Sequence, residues 1–339
     1  MCDCMTRHTC AVTTPPTDWA GEHVPLTGAP EPDLDAEPES LVVQMDTGER
    51  MHYLDWGAPS PPHELPPLLL VHGLSQTAWA WAPIARRLRT AARVLSLDLR
   101  GHGLSESPRA GYELESLAID ALTIAVANRW GRDVGGPPVA GAGHGFGAQV
   151  AATMAVLQPE SVCGVALVDG GWEGVGEATR MSPTEFGAAV AEPPEVLASM
   201  DAFLADRRGY DPGTWDADQE RAARAQVDQK HAGHVAPVAR PGVVKALVEA
   251  MFSYRPWEVL PAVSCPLLAV VAESGSADDD EARERRLALD EVMRAREGAG
   301  RRAARIAVFR GSGHNLMRYR ADELTAELLA LLEAGRGVE

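Results

Sequence analysis

Apolar and polar positions along this chain fall into short repeating blocks. "PLLLVHG" is a continuous apolar run, the pattern of a strand buried on both faces. "TAWAWAPIARRLRT" follows with helical character, and Pro83 belongs near its start or at a kink. "RVLSLDLRGHG" predicts the next strand and its exit loop, and "ELESLAIDALTIAVANRW" an amphipathic helix. "PVAGAG" predicts a strand, Phe146 to Leu157 a helix halted before Pro159, and "GVALVDG" another strand. Upstream, "LVVQMDTGERMHYLDWG" reads as two short strands joined at Asp46-Thr47-Gly48. Downstream, "CPLLAVVAE" and "ARIAVFRGSGHN" are strands separated by a highly charged helix, and "ADELTAELLALLEAG" closes the chain as a helix.

Strands alternating with helices predict an α/β fold, a mainly parallel sheet covered on both faces. The alternation breaks between residues 170 and 262, where the pattern is helical and less regular. That stretch is expected to be a helical cap inserted into a core formed by 41–169 and 263–339. Residues 1–40, rich in Pro, Thr, Asp and Glu without a period, are expected to be a disordered acidic tail.

The 339 residues are 45% hydrophobic, enough for a sizeable core, and carry a formal net charge of -17. An acidic surface repels phosphate, so neither nucleic acid nor anionic membrane is expected as a partner. No apolar run reaches the roughly 20 residues of a membrane span. The N-terminus lacks the form of a secretory signal, which points to the cytoplasm. Of five cysteines, Cys163 and Cys265 sit in apolar runs as small buried hydrophobes. Cys2, Cys4, His8 and Cys10 match no common zinc spacing, and neither a metal nor a cofactor is expected.

The candidate chemistry centres on "VAGAGHGFGAQVAA", a strand, a Gly-rich turn and a helix start at residues 139–152. Together with "LLLVHGLSQTAWAW", "LDLRGHGLSESP" and "FRGSGHNLMRYRADEL", in this order, it resembles the α/β-hydrolase-fold superfamily over roughly residues 41–336. The resemblance implies a nucleophile elbow at Gly143-His144-Gly145-Phe146-Gly147, with Gly145 where the family carries Ser, Asp or Cys. It implies backbone oxyanion donors at Leu74, in the loop with Gly73 and Ser75, and at Phe146. His314 takes the place of the catalytic His. The acid commonly found after the seventh strand falls on Gly275, leaving Asp169 and Asp278 as candidate partners of His314.

Glycine has no side chain and forms no covalent intermediate, yet it suits the strained apex of such a turn. The implied arrangement is a dry pocket holding a carbonyl, enolate or carboxylate oxygen beside His314. Trp172 and Tyr254 are candidate apolar lining from the cap. His72, His102 and His144 read as structural. Two functions remain open. One is an enzyme acting on a small organic molecule with His314 as general base, in hydrolase, lyase or oxygenase-type chemistry. The other is a catalytically inactive ligand-binding or scaffold protein.

Overall fold

The computed structural model describes residues 33–59, 65–230, 233–275 and 280–336. Ten strands and twelve α-helices are found among them. Strands β1 (Glu39–Gln44) and β2 (Arg50–Asp55) form the expected hairpin. They lead into β3 (Leu68–Val71), α1 (Ala82–Leu88), β4 (Val94–Leu97), α2 (Leu114–Ala127), β5 (Val139–His144), α3 (Phe146–Leu157) and β6 (Val162–Val168). After β6 come α4 (Val175–Thr179), α5 (Pro183–Ala189), α6 (Met200–Gly209) and α7 (Ala217–Ala225). A small antiparallel ribbon of β7 (Val227–Gln229) and β8 (Val235–Pro237) follows, then α8 (Pro241–Ser253) and α9 (Pro256–Ala262). The chain returns to the sheet with β9 (Leu267–Glu273), α10 (Asp280–Gly298), β10 (Arg305–Arg310), α11 (Leu316–Tyr319) and α12 (Ala321–Gly335).

Eight strands form one sheet in the order β1-β2-β4-β3-β5-β6-β9-β10. The pairs from β4 through β10 are parallel, and the β1–β2 and β2–β4 pairs are antiparallel. Side chains alternate across the sheet as strand geometry requires. Leu69 and Val71 face a core with α2, α3 and α10, while Leu68 and Leu70 face one with α1 and α12. Each fully buried Leu contributes about 1.5–3 kcal/mol. Such burial on both faces accounts for the unbroken apolar runs.

Two expectations are corrected here. "TAWAWAPIARRLRT" is not one helix: a 3-10 turn at Ala78–Trp81 precedes α1, because Pro83 lacks an N–H and fits only the first turn of a helix. Of the tail expected over residues 1–40, the last residues instead hold structure against the core. Residues 1–32, with the N-terminal cysteines and His8, lie outside the described residues, but β1 begins at Glu39. Just before it, the Ala36 carbonyl accepts from Arg86 Nε at 2.8 Å, and Glu37 pairs with Arg86 and Arg221. Arg86, buried on α1, also pairs with Asp218 on α7 and so ties the core to the 170–262 segment.

Asp98, at the exit of β4, organises the loops at the end of the sheet that carries the site. Its buried carboxylate accepts from Ala78 N at 2.7 Å, Leu104 N at 3.0 Å and His52 Nδ1 at 2.7 Å. Burial would raise its pKa, but the His52 bond, the neighbouring histidines and the Ala78 amide outweigh burial and hold it below its ordinary value. A depressed folded-state pKa means that ionised Asp98 stabilises the fold. We predict that Asp98→Ala lowers stability by about 3–5 kcal/mol at neutral pH, the cost of breaking a buried pair. In urea titrations the gap to wild type should be complete above pH of about 4 and close as pH falls through the depressed value. A gap independent of pH would contradict this assignment.

Candidate active site

Strand β5 ends at His144, and α3 begins at Phe146, so Gly145 alone makes the turn. Its backbone sits at φ 52° and ψ -111°, a region that strains a residue bearing a Cβ. Two neighbouring glycines let the helix fold back onto the sheet. A Cβ on Gly143 would lie 2.0 Å from the Gly147 carbonyl oxygen, and one on Gly147 would lie 2.4 Å from that of Val71. The tightness of this turn is therefore written into three glycine positions.

His314 stands over the turn. An ideal Cβ built on Gly145 would be 3.2 Å from His314 Nε2. The other ring nitrogen, Nδ1, is 2.6 Å from Asp169 Oδ2. Asp169 closes β6 at φ 51°, a left-handed conformation that Asp tolerates better than most residues. Its side chain is 3% exposed, and that of His314 is 62% exposed. The second carboxylate oxygen of Asp169 accepts from Ala272 N at 2.9 Å and from Arg285 on α10 at 3.1 Å. Arg285 also pairs with Glu173 at 3.1 Å and lies over the Trp172 ring, 5.4 Å from its centre. Burial would raise the Asp169 pKa. The bond to His314 and the charge of Arg285 outweigh it, so the group is held below its ordinary value and stays ionised.

The three histidines read as structural all hold backbone. His72 Nδ1–H donates to the Gly73 carbonyl at 2.8 Å, while Nε2 accepts from Leu99 N at 3.0 Å. His102 Nδ1–H donates to the Arg100 carbonyl, and Nε2 accepts from Ser75 N at 3.3 Å. Burial pushes the His102 pKa down to about 3, so the ring stays neutral and keeps its acceptor. His144 is likewise pushed down to about 3 by burial. It donates from Nε2 to the His314 carbonyl at 2.9 Å, with its ring centre 4.3 Å from that of His314. Gln76 Oε1 accepts from Gly73 N at 2.9 Å and lies 3.0 Å from His144 Nδ1. The Gln76 bond to Gly73 closes the 73–76 loop on itself, and His102 holds Ser75 N. Ser75 itself adopts φ 60°, a strained value for a residue other than glycine.

Several site expectations need correction or completion. The pocket beside His314 is not dry, because most of the His314 side chain reaches solvent. Trp172 and Tyr254 do not line an open pocket. Both are buried in the core, and the Tyr254 hydroxyl donates to the Gly171 carbonyl at 3.0 Å. Asp278 lies outside the described residues. Arg285 and Glu173 were missed, since Arg285 belongs to a charged helix whose pattern reads as a solvated face. Gln76 did leave a signal, a polar side chain in the middle of the loop after β3. A cavity of about 510 Å³ opens among the 170–262 elements, and Ser75 is its lining residue from the core. Among the described residues, no cluster of His, Cys, Asp or Glu is arranged to hold a metal ion.

The model of the alpha/beta hydrolase family matches residues 68–328. The chain belongs to this family. Among curated members, (E)-2-((N-methylformamido)methylene)succinate hydrolase of Acinetobacter baylyi is 29% identical over 131 residues, 39% of this chain and 45% of the relative. Epoxide hydrolase 4 of Mus musculus is 31% identical over 119 residues, 34% of this chain and 30% of the relative. The matched part therefore spans less than half the length of either relative. Among solved hydrolases, E-2-(acetamidomethylene)succinate hydrolase superposes with a TM-score of 0.70 at 21% identity, over 88% of this chain and all of that one. Among the described residues, no helix is long and apolar enough to cross a membrane.

Arg285 gives this site an electrostatic feature open to direct test. Replacing it with Gln removes a positive charge 3.1 Å from Asp169 Oδ1. The Asp169 pKa should then rise toward the ordinary value, as read from its side-chain carboxyl signal in a carbon-13 pH titration. An unchanged midpoint would show that the ion pair does not tune the carboxylate.

Proposed function

We propose that this protein is a hydrolase-fold enzyme that acts on a small organic molecule without a covalent serine intermediate. One observation carries the reading: His314 Nε2 faces the position of an absent Cβ on Gly145 at 3.2 Å, while Nδ1 is bonded to an ionised, buried Asp169. In this reading Gly145 occupies the nucleophile position of the family, and His314 with Asp169 is the remaining base and acid. The hydrolase names of the relatives support the reaction class.

The chemistry follows from the residues present. A substrate carbonyl oxygen accepts from the backbone N–H groups of Leu74 and Phe146. Phe146 is the first residue of α3, where the N–H has no partner within the helix and the helix dipole favours negative charge. His314 Nε2 takes a proton from water as the water oxygen bonds to the carbonyl carbon. Asp169 keeps the imidazole in the correct tautomer and stabilises the imidazolium. The tetrahedral adduct then breaks its bond to the leaving group, and His314 returns the proton to that group. Atoms and charge balance without an acyl-enzyme. The 170–262 segment serves as the cap over this site.

Hydrolysis of p-nitrophenyl acetate tests the reading. The wild type should turn it over with no initial burst of p-nitrophenol, because no acyl-enzyme accumulates. His314→Ala should lower the rate at least about 100-fold, the lower range for loss of a general base. A stoichiometric burst, or a rate untouched by His314→Ala, would overturn the mechanism. Absence of turnover with any ester would instead favour the non-catalytic binding protein.

A further inference from the structure

A second histidine of this chain stands between a carboxylate and a hydroxyl. His52 Nδ1 is 2.7 Å from Asp98 Oδ2, and His52 Nε2 is 2.8 Å from Ser40 Oγ. Asp98 is ionised and can only accept, so Nδ1 carries the proton of the neutral ring. Nε2 is then an acceptor, and the Ser40 hydroxyl donates to it. Hydroxyl, imidazole and carboxylate stand in series, with the first two inside the reach of roughly 2.6–3.2 Å that activation of a nucleophile requires.

The three groups differ in exposure. The His52 and Asp98 side chains are 2% and 3% exposed, whereas Ser40 is exposed on β1, the edge strand of the sheet. The base is shielded, and the oxygen bonded to it is open to solvent. At Gly145 the reverse holds, with an open imidazole over a residue that has no side chain. Packing fixes the series in place. Asp98 is also held by Ala78 N and Leu104 N, and His52 N donates to Ser105 Oγ at 2.8 Å. In the β1–β2 register Val42 lies opposite His52, two residues from Ser40, so the three share one face of the sheet. Val42 is largely exposed and puts an apolar side chain beside the hydroxyl.

We propose that Ser40 is a nucleophilic serine, with His52 as its base and Asp98 orienting that base, and that it captures an uncharged organophosphorus ester carrying a good leaving group. The Ser40 oxygen bonds to phosphorus, the bond from phosphorus to the leaving group breaks, and that group departs as its anion. The hydroxyl proton passes to His52 Nε2, and Asp98 stabilises the imidazolium so formed. Val42 offers contact to the alkyl groups of the ester. Ser40 lies within a strand and not at a helix start, so it has less to hold the oxyanion of a carboxylic ester, and its reaction is confined to strong electrophiles. The inference goes beyond the function proposed above, since neither Gly145 nor His314 takes part.

Incubation of the full chain with an alkyl fluorophosphonate, followed over time by peptide mass spectrometry, tests it. Wild type should gain a phosphonyl group on Ser40 with loss of fluoride. Ser182 is a control within the same molecule: it is exposed, but its hydroxyl donates to the Glu185 carboxylate at 2.7 Å and not to an imidazole. It should label at least about 100-fold more slowly than Ser40. His52→Gln should slow labelling of Ser40 by a similar factor, and Ser40→Ala should remove that adduct, with circular dichroism confirming that each variant is folded. If His52→Gln does not fold, the ratio of Ser40 to Ser182 labelling in wild type decides alone. His314→Ala should label at Ser40 as wild type does, which separates this proposal from the catalytic reading. Absence of an adduct on Ser40, equal labelling of Ser40 and Ser182, or a folded His52→Gln protein labelled as fast as wild type would overturn the proposal.

Discussion

The backbone turn at residue 145 is the constraint on which the site depends. A parallel strand must stop, reverse and start a helix in one residue, and it does so only because Gly143, Gly145 and Gly147 permit contacts that a Cβ would forbid. The turn starts α3 at Phe146 and brings residue 145 within reach of His314. A glycine at the apex adopts φ 52° with little penalty.

Electrostatics fixes the charge state of Asp169 beside His314. Asp169 is buried, and an isolated buried carboxylate would protonate. It stays ionised by dividing its two oxygens, one to His314 and the other to Ala272 N and Arg285. Arg285 in turn is held by Glu173 and the Trp172 ring, so α10 is coupled to the exit of β6 through one side chain.

Much of the fold was legible from residue pattern. Runs such as Leu68–Val71 and Val162–Val168 are apolar because both faces of the sheet are covered, and periodicity reports that directly. The Gly-rich turn was legible for the steric reason given above, and the position of His314 beside it through the resemblance of its loop to that of the family. Other features depend on three-dimensional placement. Whether Asp169 or a later acid meets His314 is decided by a left-handed residue at the end of β6, and nothing in the alternation of apolar and polar positions encodes that. Arg285 lies 116 positions from Asp169 and resembles any cation on an exposed helix. Trp172 and Tyr254 were placed in a pocket because aromatic residues in an irregular segment look available, yet they pack into the core under α8 and α10.

The central claim is that Gly145 stands where an attacking oxygen would be activated by His314. Restoring that oxygen tests it most directly. Gly145→Ser, shown by circular dichroism to be folded, should react with a fluorophosphonate, and mass spectrometry should map the adduct to residue 145. The exposed His314 ring can yield the few tenths of an ångström that the new Cβ requires. A folded Gly145→Ser protein that remains unlabelled at residue 145 would contradict the account.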